Sequence, residues 1–289
     1  MVKLLAERAF AKINLFLRVT SRRADGYHEL DSIFVPISVS DRITIEVRPA
    51  PTSSVTLRCN VAELSDKQSN LASRAAHDFM REFGISAHVM IDLEKTVPAG
   101  AGLGGGSSDA GTVLRMLASM TRASGDSIER MRKIAVGLGA DVPFFLDPRP
   151  SRVTGIGERI EAIEKFPPLH LVIAVPPIEV PTASIFKMLK REGWSGPASS
   201  EDIDEILRGA IVGRHLMNDL EAPATQLFPQ IAHLKVLLQE CGATATSMTG
   251  SGGAIFGIFP DSPAAGRAAD ALRRRAPEAR VFAAKSLDA

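Results

Sequence analysis

Residues 98–110 read Pro98-Ala99-Gly100-Ala101-Gly102-Leu103-Gly104-Gly105-Gly106-Ser107-Ser108-Asp109-Ala110, and a helix-like stretch over residues 111–120 follows at once. Glycines lack Cβ atoms, so successive backbone N–H groups can turn toward one concavity. Ser107, Ser108 and Asp109 are residue types that cap a helix whose positive end faces such a concavity. The natural occupant is an anion, above all a phosphate. Three templates compete for the segment. Gly100 to Gly105 satisfies G-x-G-x-x-G formally, but a dinucleotide fold carries that motif in its first strand-to-helix turn, with an acidic residue closing the next strand. Here a long strand-like stretch comes first, and the downstream acidic residue, Asp126, falls in a Ser/Gly-rich turn. A P-loop needs G-K-[ST], whereas Gly106-Ser107-Ser108 has no Lys. A flexible Gly/Ser linker has no reason to end in two hydroxyls, an Asp and a regular helix.

The bulk properties suit a globular enzyme. At 289 residues, 45% hydrophobic and 23% charged, the chain is long enough for one large or two ordinary domains with a substantial core. Thirty-four basic against thirty-three acidic residues leave a net charge of +1, which offers no general attraction to nucleic acid or anionic lipid, so any anion site is local. Arg273-Arg274-Arg275 reads as the solvated face of a helix starting near Pro263. Cys59 and Cys241 lie far apart, without metal-ligand spacing, which fits a reducing cytoplasm. The first residues lack an apolar export core and no stretch approaches the ~18 apolar residues of a membrane span, so a cytoplasmic protein without a membrane partner is expected.

Along the chain, strand-like runs at residues 14–20, 33–39 and 42–47 are separated by turn residues such as Asp25-Gly26 and Pro49-Ala50-Pro51. Residues 70–82 read as a helix and 88–93 as a strand. Residues 127–138 read as a helix with Ile128, Met131, Ile134, Ala135 and Leu138 on one face. Beyond Pro148 and Pro150, a strand at 169–175, helices at 182–191 and 229–240 and a strand pair within 243–259 suggest a second layer. Residues 193–200, which hold the only Trp, read as a mobile loop. The fold class is α+β, in two domains with a boundary near residue 150.

Several residues carry two readings. On the first strand Phe10, Lys12, Asn14 and Phe16 share one face, while Ala11, Ile13, Leu15 and Leu17 form the core face. Lys12 then either snorkels to solvent at a sheet edge or faces a cleft as a functional cation. Asp141, between the helix stop at Gly139 and the apolar run after it, is either a turn residue or a working carboxylate. Tyr27, the only Tyr, stands beside His28 in a turn entering a strand. A stacking ring and an imidazole suit a pyrimidine, and equally describe a packed hairpin aromatic with an exposed His. Thr249-Gly250-Ser251-Gly252 is a second small-residue turn.

The loop P-x-x-x-G-L-G-G-G-S-S-D-A resembles the ATP loop of the GHMP kinases, the superfamily of galactokinase, homoserine kinase, mevalonate kinase and phosphomevalonate kinase. Its triple glycine joins Ala11-Lys12-Ile13-Asn14-Leu15, Asp25-Gly26-Tyr27-His28-Glu29-Leu30, Gly139-Ala140-Asp141-Val142-Pro143-Phe144-Phe145, Pro181-Thr182 with Ile185-Phe186-Lys187, and Thr249-Gly250-Ser251-Gly252. In that order, over nearly the whole chain, the set resembles the family of 4-diphosphocytidyl-2-C-methyl-D-erythritol kinases. The resemblance implies an N-terminal ATP-binding domain with mixed sheet and helices over residues 1–149 and a C-terminal α+β substrate-binding domain over 150–289, with the active site in the cleft between them. It implies ATP and Mg²⁺ as cofactors and a small-molecule partner carrying a cytidine diphosphate group, phosphorylated on its 2-hydroxyl in the non-mevalonate route to isoprenoid precursors. Lys12 and Asp141 are the implied catalytic residues. Pro98, Ala99, Gly100, Ala101, Gly102, Leu103, Gly104, Gly105, Gly106, Ser107 and Ser108 are the implied phosphate loop, with Asn70, Leu71 and Lys95 near adenine and ribose. Tyr27, His28 and Phe186 are the implied cytidine clamp, and Asn14, Thr182, Thr249 and Gly250 further substrate contacts. Phe186 alone reads as the core residue of an amphipathic helix. Two departures from the family pattern, Gly253 for the usual Ala and Pro150-Ser151-Arg152 before Gly155, bear on local strand geometry.

Overall fold

In a computed structural model of the chain, the described residues are 2–65, 69–121 and 127–287. The Asp126 turn expected from the sequence lies outside the described residues. The chain divides into two compact units, one made of Met1–Ala11, Val39–Val97 and Gly104–Pro148, the other of Lys12–Ser38, Pro98–Leu103 and Arg149–Ala289. Two long strands, β1 (Lys3–Arg22) and β2 (His28–Pro49), contribute one part to each. The runs at 33–39 and 42–47 are therefore one strand and not two. Ser40-Asp41 resembles a turn in sequence, yet Asp41 is 1% exposed and its carboxylate takes backbone N–H groups, so the polar pair is consumed without a break.

In the first unit β3 (Ser54–Cys59) runs parallel to β4 (Ala87–Glu94), and β4 runs antiparallel to the later half of β2, with Ile43 opposite Leu93 and Ile45 opposite Ile91. Ala87, Val89, Ile91 and Leu93 alternate into the core, as a half-buried strand requires. Helices α1 (Leu71–Phe83), α2 (Gly105–Thr121) and α3 (Ser127–Leu138) complete this core. α1 buries Ala72, Ala75, Ala76, Phe79 and Met80, a helical stripe. Asn70 caps it by accepting the Ala72 N–H at 2.9 Å, and Gly84 ends it at φ 63°. α3 buries Met131, Ile134, Ala135 and Leu138, but Ile128, expected on that face, is 58% exposed in the first turn.

α2 begins at Gly105 and not at residue 111, so Ser107, Ser108 and Asp109 lie inside its first turns and are not its caps. Helix propensity disfavours this start, and close packing overrides it. A Cβ on Gly105 would lie 3.0 Å from Val97 Cγ1, and one on Gly111 would lie 2.5 Å from Phe145 Cβ. Gly111 is thus a helix-interior glycine that lets α2 approach the 3₁₀ turn Val142–Leu146.

In the second unit β5 (Ser151–Gly155) pairs antiparallel with the first half of β2 and with β6 (Arg159–Ala162). A separate antiparallel sheet has the order β10-β7-β9-β8, formed by β7 (His170–Val175), β8 (Ala245–Met248), β9 (Ile255–Phe259) and β10 (Arg280–Lys285). Helices α4 (Thr182–Met188), α5 (Ser200–Leu207), α6 (Glu221–Leu227), α7 (Gln230–Glu240) and α8 (Ser262–Arg275) belong to the same unit, and Ile231, Leu234 and Leu238 of α7 and Ala265, Ala268 and Leu272 of α8 share its core with β7 and β9. The helix expected at 182–191 stops at Met188, where Leu189 turns to an extended conformation. Asp261 caps α8 by accepting the Ala264 N–H at 2.7 Å, and the triple-Arg run forms its last turn, where positive charge suits the helix dipole. Among the described residues no helix is long and apolar enough to cross a membrane.

Candidate active site

Within the second unit, Lys12 sits at the centre of a polar hub. Its residue is 3% exposed, so the snorkelling alternative is excluded and both faces of β1 are buried here. The Lys12 ammonium donates to Asn14 Oδ1 at 2.6 Å and to the Gly102 carbonyl at 3.2 Å, and lies 4.7 Å from the centre of the Phe34 ring. Its backbone N–H donates to the Leu103 carbonyl at 3.0 Å. The Asn14 amide donates to Ser32 Oγ at 2.9 Å, and the Asn14 backbone N–H donates to Thr249 Oγ1 at 2.9 Å. Thr249 Oγ1 also stands 3.3 Å from the Gly102 carbonyl, while Ala254 donates to the Ala101 carbonyl at 3.0 Å. The turn 249–252 is braced from below by Asn218, whose amide donates to the carbonyls of Met248 and Gly250 at 2.8 and 2.9 Å.

The approach of the two glycine segments is close enough to require glycine. Gly102 has φ 79°, and a Cβ there would fall 2.2 Å from the Thr249 carbonyl oxygen. Gly100, Gly102 and Gly104 share this left-handed backbone at φ 67°, 79° and 70°. Alternation of left-handed residues with ordinary ones turns successive N–H groups to one side, the arrangement that suits an anion.

A second cluster in the same unit is aromatic. His28 and Phe186 stack, with ring centres 5.2 Å apart and planes 23° apart, and Trp194 meets His28 edge-on at 5.8 Å and 87°. Burial, with a smaller contribution from the charge of Arg22, holds the His28 imidazole below its ordinary pKa and so favours its neutral form. Tyr27 stands outside this stack, 61% exposed, its N–H donating to Asp25 Oδ1 at 3.1 Å in an Asx turn. Thr182 Oγ1 lies 2.7 Å from Ser251 Oγ, next to Gly250. The segment around Trp194, expected to be mobile, is tied down: Ser195 donates to Asp219 at 3.0 Å through its N–H, Gly196 to the Val19 carbonyl at 3.2 Å, and Ala198 to Asp31 at 2.8 Å. Asp31 in turn accepts both arms of Arg152 at 2.9 and 3.0 Å, so the unusual Pro150-Ser151-Arg152 approach is absorbed by a two-pronged ion pair. At Gly253 a Cβ would stand 3.2 Å from the Ile178 side chain, a tight contact with a movable group.

The first unit holds the remaining candidates. Asp141 is half-buried in the turn at the head of the 3₁₀ helix Val142–Leu146, and its side chain makes no cap to that helix. The Lys95 side chain is buried, its ammonium bound to Asp41 at 2.5 Å and Asp109 at 2.7 Å. Asp41 also accepts the N–H groups of Thr96 and Val97, at 2.5 and 2.8 Å. Burial raises the Asp109 carboxyl to about 7, opposed by Lys95 and reinforced by Asp41, while the two carboxylates hold Lys95 above its ordinary value against the pull of burial. Ser108 Oγ donates to the Phe10 carbonyl at 2.7 Å, and Asn70 Nδ2 to the Leu64 carbonyl at 2.8 Å, with Leu71 the first residue of α1.

Sequence reasoning missed Ser32, Asn218, Asp219, Asp31, Asp41 and the Asp109–Lys95 pair. Their partners are backbone groups or charges far along the chain. A lone Asn or Asp before Leu220 gives no local pattern that would reveal them.

Residues 70–147 match the family model of the GHMP kinases N terminal domain, and residues 199–278 that of GHMP kinases C terminal. The 4-diphosphocytidyl-2-C-methyl-D-erythritol kinase of Anaeromyxobacter sp. (strain K) is 42% identical over 276 residues, 92% of this chain and 84% of that protein. The kinase of the same name from Syntrophotalea carbinolica is 38% identical over 269 residues, 92% and 93% of the two chains. A crystal structure of 4-(cytidine 5'-diphospho)-2C-methyl-D-erythritol kinase superposes with TM-score 0.85 at 36% identity, covering 99% of this chain and all of the other. Homoserine kinase from Cytophaga hutchinsonii, at TM-score 0.73 and 16% identity over 99% and 95% of the chains, shares the fold.

Proposed function

Because the chain belongs to the 4-diphosphocytidyl-2-C-methyl-D-erythritol kinase family of GHMP kinases, we propose a division of labour among its residues for that reaction. The enzyme transfers the γ-phosphoryl group of ATP to the 2-hydroxyl of 4-diphosphocytidyl-2-C-methyl-D-erythritol, a step of the non-mevalonate route to isoprenoid precursors. The observation that carries the assignment is the hub in which Lys12, Asn14, the Gly102 carbonyl and Thr249 are bonded together.

Asp141 orients the acceptor hydroxyl and takes its proton as the oxygen bonds to the γ-phosphorus and the bond to the ADP oxygen breaks. Phosphoryl transfer passes through a loose transition state, so orientation outweighs proton removal. Lys12, kept in place by Asn14 and the Gly102 carbonyl, offsets charge on the transferring group. Residues 98–108 wrap the polyphosphate through backbone N–H groups, and their left-handed glycines are what such a wrap needs. Asn70, Leu71 and Lys95 lie toward adenine and ribose. Lys95 acts there through its surroundings, since two carboxylates already hold its ammonium. His28 and Phe186, with Tyr27, take the cytosine ring, and Asn14, Thr182, Thr249 and Gly250 the rest of the acceptor.

Mg²⁺ when bound neutralises polyphosphate charge. Mg²⁺ usually keeps several waters and takes one or two protein oxygens beside phosphate. Both cysteines are free, in keeping with a reducing cytoplasm as the working compartment.

The test is ATP-dependent turnover of the cytidyl alcohol by the unaltered enzyme and by Asp141→Asn. The variant should lose at least ~10²-fold in kcat with ATP affinity within a few fold. Near-normal turnover would remove Asp141 from the chemistry.

A further inference from the structure

Trp194 is the only Trp in the chain and belongs to none of the motifs that mark the site. Its place is nevertheless fixed from two directions. The indole packs against the apolar core of the second unit together with Phe186, and its ring meets His28 edge-on at 5.8 Å. The next residue is clasped by Asp219, whose carboxylate accepts the Ser195 N–H at 3.0 Å, the Ser195 hydroxyl, and the Val19 N–H at 2.7 Å on β1. Asp219 is 8% exposed, so these bonds are sheltered from water. His28 is thereby boxed, with Phe186 against its face and Trp194 across it.

We propose that Trp194, held by the Asp219–Ser195 clasp, is a positioning residue for nucleobase selection: its edge-on contact fixes the rotation of the His28 imidazole within the plane set by the Phe186 stack. A neutral imidazole donates through one ring nitrogen and accepts through the other, both in the ring plane, so fixing the ring's rotation within that plane fixes the directions available to a pyrimidine edge. Without Trp194 the Phe186 stack still permits rotation of His28 about the stacking axis and sliding across the Phe186 face. The indole N–H is buried and none of the described residues accepts it, so the contact uses the ring's shape and not its donor. A phenyl ring can therefore substitute for it. This inference rests on the reading that His28 and Phe186 take the cytosine.

The experiment compares Trp194→Ala, Trp194→Phe and His28→Ala with the unaltered enzyme, using the cytidyl acceptor and its uridyl counterpart. Trp194→Ala should raise KM for the cytidyl acceptor by about tenfold and narrow the preference for cytidine over uridine. Its kcat should stay within about twofold and its KM for ATP should be unchanged, while Trp194→Phe keeps KM within about threefold. A merely structural Trp would lower kcat and melting temperature together and leave base preference alone, which would overturn the proposal. If His28→Ala raises KM while folded Trp194→Ala does not, the cytosine reading stands and the role of Trp194 falls. If His28→Ala has no effect on KM or base preference, the cytosine reading fails and takes the inference with it. Should Trp194→Ala not fold, Ser195→Ala loosens the clasp and keeps the indole. It should raise the same KM by a smaller factor, and an unchanged KM would refute the clasp. In the unaltered enzyme, cytidine monophosphate should change the emission of this single indole, and a flat titration at saturating nucleotide would also overturn the proposal.

Discussion

Gly102→Ala, set against Gly100→Ala, tests the glycine hub with its own control. Both residues have a left-handed backbone, φ 79° and 67°, so each substitution carries the same conformational strain of about 1–2 kcal/mol. They differ in what the new methyl group meets. At Gly100 its nearest neighbour is Glu179 Cγ at 3.8 Å, an ordinary contact with a flexible side chain. At Gly102 it would fall 2.2 Å from the Thr249 carbonyl oxygen, 3.1 Å from the carbonyl carbon and 3.3 Å from the Gly252 oxygen, all backbone. Relief requires the two segments to separate by about 1 Å, adding about 1–3 kcal/mol of overpacking. That movement pulls the Gly102 carbonyl from the Lys12 ammonium and Thr249 from Asn14. Misplacement by 1 Å near reacting groups costs about 10²-fold. Steady-state kinetics with thermal melting should show turnover of Gly102→Ala about 10²-fold below that of Gly100→Ala, with both variants still folded. Equal turnover in the two variants would refute the argument that close backbone approach holds Lys12 in its working position.

Other consequences concern the first unit. A carboxyl raised on folding, as burial raises Asp109 to about 7, binds its proton more tightly in the folded state. Its stabilising contribution is complete below the ordinary carboxylate value near 4 and is lost as pH rises toward 7, by up to about 4 kcal/mol. Urea denaturation should therefore show the unaltered protein losing stability relative to Asp109→Asn between about pH 4 and pH 7, and parallel curves would contradict the raised value. Gly111→Ala should destabilise by about 1–3 kcal/mol through its clash with Phe145, despite the better helix propensity of Ala. Gly137→Ala in α3, where a methyl group meets nothing within 4 Å, should stabilise by up to about 1 kcal/mol, and the same sign at both sites would discredit the packing explanation.

What could be read in the sequence was what short-range physics dictates. Asn70 before an apolar stripe marks the start of α1, and the alternation at 88–93 marks β4. The glycine run announces a backbone-lined turn because glycine adopts its φ values without strain. What escaped depended on distant partners. Ser40-Asp41 looked like a break because nothing nearby shows that Lys95 and the N–H groups of Thr96 and Val97 await Asp41. The early start of α2 escaped because propensity penalises Gly105 and Gly106, while the packing that favours glycine at 105 comes from Val97, outside the local pattern. The site residues followed the same division. Lys12, Asn14 and Thr249 stood in recognisable motifs, whereas Asn218 and Asp219, about 200 residues from Leu17 and Val19 with which they share bonds, stood in none.

The most direct measurement is a coupled ADP-release assay with ATP and Mg²⁺, offering 4-diphosphocytidyl-2-C-methyl-D-erythritol, mevalonate and homoserine as alternative acceptors. The account expects rapid turnover of the cytidyl alcohol alone, with one phosphate added at its 2-hydroxyl. Preference for mevalonate or homoserine, or ADP release without phosphorylation of the cytidyl alcohol, would contradict it.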